Sequence, residues 1–408
     1  GDFKNYFKNK FQTYSGTADL YVFFVEQGFN VLRPNGQFVY IMPNKWMRAG
    51  YGLELRKYFK KERLIEIDDF GDLQVFDDAT TYPCIIQAQK AASLDTFNAT
   101  NLQTLTYENG LGQHIANYKF EIPLSSLGDE GWTLANVQQQ NLRKKLSIDV
   151  IPISEYIEGK AYYGIKTGLT EVFVIDELTK NRLIDEDERS AEIIKPLLLG
   201  RDIKAYATPT PTRYLLFTRR GINIDNYPAV KSYLSINRER LEPQPKGYKG
   251  KEWKGRKTGT YKWYEVQDAV DYYPEFDKPK IMYQVFQVKP AFIYDEQGLY
   301  CNNSLWIIPK SDKALFALLN SKMGWYLISS YCTAIQNGYQ LIFQYFGQIP
   351  ISNRLSESKE VLTMIVDQIL NAKATDPAAD TSALEAEIDR LVYALYGLTE
   401  EEIAIVEG

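Results

Sequence analysis

The first ninety residues of the chain switch repeatedly between the helical and the extended pattern of apolar positions. Apolar side chains at near-helical spacing predict an amphipathic helix over residues 18–32, and short apolar runs predict strands over residues 37–43, 64–70 and 83–88. Residues 33–36 predict a turn, since Pro34 cannot continue a helix and Asn35-Gly36 tolerates positive φ. With a second helix predicted over residues 52–61, this alternation favours a mostly parallel, doubly wound α/β sheet.

The whole chain divides into four parts by its pattern of residues. We expect an α/β domain over residues 1–120, a connector over residues 121–150, a strand-rich and aromatic-rich domain over residues 151–352, and a helical tail over residues 353–408. Strands are predicted at residues 171–175, 214–218, 280–285, 291–294 and 304–308, and helices at residues 136–146, 313–319, 324–330, 359–372 and 382–395. Thr399 followed by Glu402 predicts a capping box at the start of a last helix.

Composition and charge narrow the class of protein. No apolar run approaches the roughly 18 residues needed to span a bilayer. The three cysteines lie far apart, as expected for a reduced cytosolic protein, and the single histidine, His114, leaves no His/Cys cluster for a metal. The net charge of −5 hides an asymmetry: residues 231–266 hold ten Lys or Arg against four Glu, whereas residues 376–408 hold nine acidic residues against one Arg. Local charge is therefore more informative than the total.

An ordered set of short motifs covers most of residues 10–90. These motifs are Tyr14, Asp19-Leu20-Tyr21, Gly36, Pro43-Asn44-Lys45-Trp46, Leu55-Arg56, Phe76 and Thr81-Tyr82-Pro83. In this order the segment resembles the second half of the catalytic domain of DNA methyltransferases that modify the exocyclic amine of adenine. Residues 164–168, 195–203 and 349–351 are similar to the TaqI-like C-terminal specificity domain, and residues 388–403 resemble the end of fused type IIG restriction–modification enzymes.

The resemblance implies an α/β fold with a particular order of parts. A partial Rossmann-like methyltransferase sheet, the C-terminal half of the catalytic domain, would be followed by a mixed α+β target-recognition domain and a helical tail. The family's Phe-x-Gly-x-Gly turn, which holds S-adenosylmethionine, and its Asn-Pro-Pro-Tyr loop do not occur in the sequence. We therefore expect the C-terminal part of a larger bacterial, cytoplasmic enzyme, whose missing N-terminal methyltransferase region, with or without a nuclease, would supply the cofactor site. The chain alone is expected to be inactive and to bind no S-adenosylmethionine.

The resemblance also implies roles for individual residues of the first domain. A base must leave the duplex to be methylated and needs a flat apolar partner in place of its lost stacking, so Phe76 would stack on the flipped base. The alternative is an ordinary core Phe at the end of a strand. Candidates for the border of the pocket are Tyr14, Asp19, Asn44 and Lys45. Asn44 and Lys45 follow a strand that would end at the ligand-binding edge of the sheet, although a solvated loop also accounts for Lys45.

Residues 246–264 combine positive charge, aromatic rings and glycines. Lysine and arginine neutralise phosphates, aromatic rings stack on bases, and glycines let a loop follow a groove closely. The candidate DNA-binding residues are Lys246, Lys249, Lys251, Trp253, Lys254, Arg256, Lys257 and Lys262. The alternative is a solvated charged loop. Residues 195–203 are expected to serve the core, and the acidic tail is expected to pack on protein away from DNA.

These patterns favour recognition of double-stranded DNA and adenine methylation as part of a restriction–modification enzyme. A non-catalytic DNA-specificity subunit is the first alternative, which the half-domain before residue 90 opposes. A carbohydrate or peptide binder built on the aromatic domain is the second. Salt separates the last from the others, because binding to DNA weakens steeply as the salt concentration rises. The recognition sequence, the base-reading residues, a nuclease domain and the oligomeric state are not predicted.

Overall fold

The computed structural model describes residues 3–71, 73–78, 81–129, 131–207, 209–335 and 337–408. The chain divides into two compact units, Gly1–Lys145 and Leu146–Gly408. We call them unit 1 and unit 2 and describe each by itself. Within the described residues, no helix is both long enough and apolar enough to cross a membrane.

Unit 1 combines helices with one mixed sheet. Its helices are α1 Phe3–Lys10, α2 Leu20–Val31, α3 Leu53–Phe59, α4 Leu111–Tyr118 and α5 Val137–Lys145. Its strands are β1 Gln37–Pro43, β2 Glu62–Asp69, β3 Pro83–Ala92, β4 Thr96–Asn101 and β5 Phe120–Pro123. The predicted elements before residue 90 are therefore present. Asn35, with φ of 64°, makes the predicted turn between α2 and β1.

The strands of this sheet run in both directions. Among the described residues their order is β1-β3-β2-β4-β5. β3 is antiparallel to both β1 and β2, β2 is parallel to β4, and β4 is antiparallel to β5. The prediction of a mostly parallel sheet is therefore wrong. Apolar runs predict where strands lie, but the direction of a strand is set by the partners that it finds across the sheet.

The core of unit 1 is built around large aromatic side chains. Trp46 is fully buried, and its ring lies 5.1 Å from that of Phe59 and 5.3 Å from that of Trp132, between ring centroids. The guanidinium of buried Arg56 donates hydrogen bonds to the carbonyls of Trp46, Ala49 and Asp129. The residues that follow β1 are thus held firmly, which positions the end of that strand.

Unit 2 contains several small sheets. Its strands are β6 Val150–Pro152, β7 Tyr162–Tyr163, β8 Val174–Ile175, β9 Ile194–Leu198, β10 Arg213–Leu216, β11 Lys280–Gln284, β12 Phe286–Gln287, β13 Phe292–Asp295, β14 Tyr300–Cys301, β15 Leu305–Ile308, β16 Thr333–Ile335, β17 Gly338–Gln340 and β18 Pro350–Ser352. In the described part of the chain the sheets have the orders β14-β9-β10-β8, β13-β11-β15-β7, β12-β17-β16 and β18-β6. The strand predicted at residues 171–175 is wrong in its first part, which forms a short helix, Thr170–Phe173.

The helices of unit 2 flank these sheets and form the end of the chain. They are α6 Ile153–Tyr156, α7 Thr170–Phe173, α8 Glu177–Glu186, α9 Pro228–Ser235, α10 Arg238–Leu241, α11 Lys313–Asn320, α12 Lys322–Tyr331, α13 Phe343–Phe346, α14 Lys359–Thr375, α15 Ser382–Leu395 and α16 Glu400–Glu407. The predicted capping box is confirmed: the side chain of Thr399 accepts from the Glu402 N–H, and the Glu402 carboxylate accepts from the Thr399 N–H. A mixed α/β protein with a helical C-terminus is thus confirmed.

The segment over residues 195–203 lies in the core, as predicted. β9 is an inner strand, and the side chains of Leu197 and Leu198 are 1% exposed. Gly200 follows it at a close approach, where an added Cβ would lie 3.0 Å from Ser304 Oγ. The motif therefore serves packing.

Candidate catalytic edge and nucleic-acid interface

One edge of the sheet in unit 1 brings together the ends of three strands. In the registers of the sheet, Pro43 at the end of β1 pairs with Pro83 at the start of β3, and Asp69 at the end of β2 pairs with Cys84. Asn44 follows directly, and its Nδ2 donates to Asp69 Oδ1 at 2.7 Å and to the Gly71 carbonyl at 3.1 Å. The first residue after β1 is therefore hydrogen-bonded to the last residue of β2 and to Gly71 just beyond it. We call this place the sheet edge.

Asp69 is the acceptor at the centre of this arrangement. Its Oδ1 also accepts from the N–H of Gly71 at 3.0 Å. Burial raises the pKa of Asp69 above its ordinary value, whereas the hydrogen bonds from Asn44 and Gly71 lower it. Asp69 was not among the predicted site residues. The signal in the sequence was a carboxylate at the end of a predicted strand, at the same edge as Asn44.

Phe76 lies on the connection that leaves β2 at this edge. Its side chain is 41% exposed, so the alternative of an ordinary core Phe is wrong. Gln74 Nε2 donates to the carbonyls of Phe76 and Asp77, at 3.4 and 3.3 Å, and braces the backbone around the ring. An exposed ring held on a braced backbone suits contact with a flat partner.

The remaining predicted pocket-border residues lie before α2 and on the turn after β1. Asp19 caps the N-terminus of α2, and its carboxylate accepts from the Leu20 N–H at 2.7 Å. The half-buried ring of Tyr14 lies 6.2 Å from that of Phe23, between centroids, and nearly parallel to it. Lys45 is exposed, as expected for a solvated position.

Two tyrosines that were given no site role from the sequence, Tyr21 and Tyr51, lie near Asp19. The hydroxyls of Tyr21 and Tyr51 are 2.8 Å apart. Burial raises the pKa of Tyr21, and the Tyr51 hydrogen bond and the charge of Asp19 act in the same direction. Burial also raises the pKa of Tyr51, so both hydroxyls remain protonated at neutral pH.

We call residues 246–264 of unit 2 the basic segment. Its first part belongs to a loop whose two ends are joined by backbone hydrogen bonds. Pro243 and Arg256 form a parallel bridge, in which the Gln244 N–H donates to the Arg256 carbonyl and the Arg256 N–H donates to the Glu242 carbonyl, both at 2.9 Å. Gly255 fits beside this bridge because an added Cβ would lie 2.2 Å from the Glu242 carbonyl oxygen. We call residues 244–255 the basic loop.

The buried side chain of Arg256 hydrogen-bonds to several backbone segments around the basic segment. Its side chain is 3% exposed, and its guanidinium donates to the backbone carbonyls of Thr167, Leu241, Lys262, Trp263 and Glu265 at 2.7–3.1 Å. Burial lowers the pKa of Arg256 to about 10, so the group stays charged at neutral pH. Every guanidinium N–H is thereby used within the protein. The assignment of Arg256 to the DNA-binding set is therefore corrected: it positions the basic segment and offers no donor to a phosphate.

The lysines of the segment face solvent. Exposed side chains belong to Lys246, Lys249, Lys251, Lys254, Lys257 and Lys262. Lys254 Nζ forms an ion pair with Glu239 Oε1 at 3.2 Å, and Lys262 Nζ lies 5.6 Å from the centre of the Tyr264 ring. Trp253 is half-buried, and its Nε1 donates to the Glu242 carbonyl at 3.2 Å. The predicted lysines are thus exposed on the surface, whereas the Trp253 side chain is bonded within the protein.

The motif at residues 164–168 packs against the same arginine. Gly168 has φ of +82°, and a Cβ there would lie 3.0 Å from Arg256 Cδ. Gly164 approaches the backbone of Asn302 so closely that a Cβ would lie 2.0 Å from its carbonyl oxygen. These glycines allow close packing of backbone on backbone. Among the described residues no group of three or more His, Cys, Asp and Glu could hold a metal ion.

Two family profiles match separate parts of the chain. Residues 1–76 match the Eco57I restriction-modification methylase family, and residues 195–351 match the TaqI-like C-terminal specificity domain. The basic segment lies within the second match, and all of the sheet edge up to Phe76 lies within the first. Residues 1–76 are therefore similar to a restriction–modification methylase and residues 195–351 to a TaqI-like specificity domain, which confirms the resemblance stated from the motifs.

Similar proteins carry consistent names. The Type II methyltransferase M.XhoI of Xanthomonas vasicola is 24% identical over 98% of this chain and 72% of its own length. M.PaeR7I of Pseudomonas aeruginosa is 23% identical over 98% of this chain and 68% of its own length. The structure of the type IIL restriction-modification enzyme MmeI in complex with DNA has a similar fold, with a TM-score of 0.55 and 14% identity over 95% of this chain. This chain spans 50% of that structure's length.

Proposed function

We propose that this chain is the C-terminal part of a restriction–modification enzyme that recognises a site in double-stranded DNA and methylates the exocyclic amine of adenine there. Unit 2 recognises the DNA, and unit 1 supplies the second half of a Rossmann-like catalytic sheet. The observation that carries the proposal is the presence, in one chain, of an exposed aromatic ring at a sheet edge and a closed loop of exposed lysines within the specificity-domain match.

The geometry of unit 1 supports the catalytic part of this proposal. β1, α3 and β2 form a unit in which the two strands run in the same direction, with β3 inserted between them. Loops at the carboxyl ends of such strands are the usual place for ligands in open α/β sheets. Asp69 is the last residue of β2, Asn44 directly follows β1, and Phe76 lies on the connection after β2. Phe76 is the residue that we propose stacks on the flipped adenine.

The methyl donor of the intact enzyme would be S-adenosylmethionine, which its named relatives imply as methyltransferases. The described residues of the sheet edge do not fit this cofactor by themselves. Both hydrogens of the Asn44 amide are donated within the protein, and the sequence contains no Phe-x-Gly-x-Gly turn to hold the methionine part. No chemical step is therefore assigned to the cofactor in this chain. We expect calorimetric titration of S-adenosylmethionine into this chain to show no micromolar binding.

Two experiments test the proposal. The chain should bind a fluorescent duplex, with an affinity that falls linearly on a plot of log K against log salt. Binding to an oligosaccharide in place of DNA, insensitive to salt, would overturn it. In an intact enzyme that contains this chain, transfer of a labelled methyl group followed by nucleoside analysis should yield N6-methyladenine. A methylated cytosine would overturn the adenine assignment, and specific binding without methyl transfer would leave a DNA-specificity module.

A further inference from the structure

Asn44 is bonded to both ends of the connection between β2 and β3. At the beginning of the connection, its Nδ2 donates to Asp69 Oδ1 and to the Gly71 carbonyl. At the end, its backbone N–H donates to the Tyr82 carbonyl at 2.7 Å. One residue on the turn after β1 therefore holds the points where the chain leaves β2 and returns towards β3.

Neighbouring bonds complete the same arrangement. The Phe70 N–H donates to the Pro83 carbonyl at 3.1 Å, which joins the two ends of the connection directly. Gly71 adopts φ of +58°, a left-handed conformation that turns the chain sharply and directs its N–H to Asp69 Oδ1. Phe76 lies along the chain between these two tied ends.

We infer that Asn44 and Asp69 form a clasp that positions the connection carrying Phe76, and that Asn44 acts as a positioning residue and not as a ligand of DNA or cofactor. The two amide hydrogens of Asn44 and the Oδ1 atom of Asp69 are fully used by the clasp. The inference rests on the proposed function only for the role of Phe76 in stacking on a base. The clasp itself can be tested without DNA.

Substitutions distinguish the two halves of the clasp. Asn44→Ala removes both amide donors, and Asp69→Ala removes the shared acceptor. Asp69→Asn is the conservative variant, because an amide Oδ1 can still accept from Asn44 and from the Gly71 N–H. Lys45→Ala is the matched control, since Lys45 is the exposed neighbour of Asn44.

A spin label reports on the connection in the full chain. Asp78 is exposed, and all three native cysteines are buried, so Asp78→Cys creates a single accessible thiol for labelling. We expect Asn44→Ala and Asp69→Ala to sharpen the spectrum of the label and to speed hydrogen exchange of residues 73–78 by about tenfold, because each lost hydrogen bond loosens the connection by roughly threefold to tenfold. Asp69→Asn and Lys45→Ala should leave both measurements unchanged.

Three outcomes would overturn the clasp. Unchanged spectra and exchange in Asn44→Ala would show that the connection is held by other contacts. Faster exchange throughout β1, β2 and β3 in both alanine variants would show a general loss of stability. Equal effects of Asp69→Asn and Asp69→Ala would show that the charge, and not the hydrogen bonds, holds the connection. In an intact enzyme, clasp variants should lower kcat for methylation with little change in KM for DNA, and a failure of that result alone would count against the proposed function.

Discussion

Removing charge from the basic segment should change how binding to DNA depends on salt. The perturbation is the triple substitution of Lys249, Lys251 and Lys257 by Gln. These lysines are exposed, whereas Lys254 is engaged with Glu239 and Arg256 is buried. We therefore expect the three lysines to contact phosphates.

The magnitude follows from the release of counterions. Each phosphate contact contributes about 0.9 to the slope of log K against log salt, so three lost contacts should lower the slope by about 2.7. If the variant and the wild type have the same affinity when extrapolated to 1 M salt, the reduction of the slope by about 2.7 corresponds to an affinity at 0.15 M that is about two orders of magnitude lower. Discrimination between cognate and mismatched duplexes should change little, because phosphate contacts position the protein and base contacts specify the sequence.

The assay is fluorescence anisotropy with a labelled duplex at several salt concentrations. The control variant replaces Lys322, Lys359 and Lys373 by Gln, which gives the same change in net charge in or next to the helices at the C-terminal end of unit 2. Wild-type affinity and slope in the loop variant would refute the reasoning and leave the segment a solvated loop. An equal loss in the control variant would show that total charge, and not the basic segment, governs binding.

Three further substitutions test separate parts of the structure. Phe76→Ala in an intact enzyme should slow methylation by the equivalent of about 1–3 kcal/mol and leave duplex affinity nearly unchanged, and equal losses in both would contradict the stacking role. Arg256→Ala should destabilise unit 2 in urea unfolding by roughly 3 kcal/mol or more, since five buried carbonyl contacts are lost, and Arg256→Lys should not restore them, because Lys offers three donors without the planar fork. Burial and the charge of Glu66 raise the pKa of Asp68 from 3.8 to about 6, so its favourable contribution is full below pH 3.8 and is lost as pH rises through 6. Asp68→Asn should flatten the pH dependence of unit 1 stability in that range, and an unchanged slope in pulse hydrogen exchange would contradict this account.

The local pattern of apolar and turn residues was sufficient to predict the type and bounds of elements that depend on nearby residues. α15 and β1 have the predicted bounds, because a continuous apolar stripe and a short apolar run were each bounded by turn residues. The capping box at Thr399 was also visible in the sequence. The direction of β3 was not, because its partners lie in other parts of the chain and apolar alternation is the same in both directions.

The roles of charged residues were predicted less well than their positions. Arg256 stands among lysines in the sequence, yet it is buried, and its five acceptors extend from Thr167 to Glu265. Nothing local distinguishes it from Lys254 or Lys257, which remain exposed. Asn44 follows β1, as predicted, but its partners Asp69 and Gly71 were not visible in the sequence. A charge pattern predicts a surface, whereas burial depends on long-range contacts.

Because the two ends of the basic loop are bonded to each other, we expect the loop to vary in sequence and length independently of the sheets of unit 2. The bridge between Pro243 and Arg256 ends the loop, and the guanidinium of Arg256 anchors that bridge to distant carbonyls, so changes between residues 244 and 255 do not need to be transmitted to the sheets. Doubling the length of such a loop costs only about 0.6 kcal/mol in closure entropy. We therefore expect loops of other lengths and sequences to be tolerated on the same anchor, so that this surface can change while the sheets stay the same.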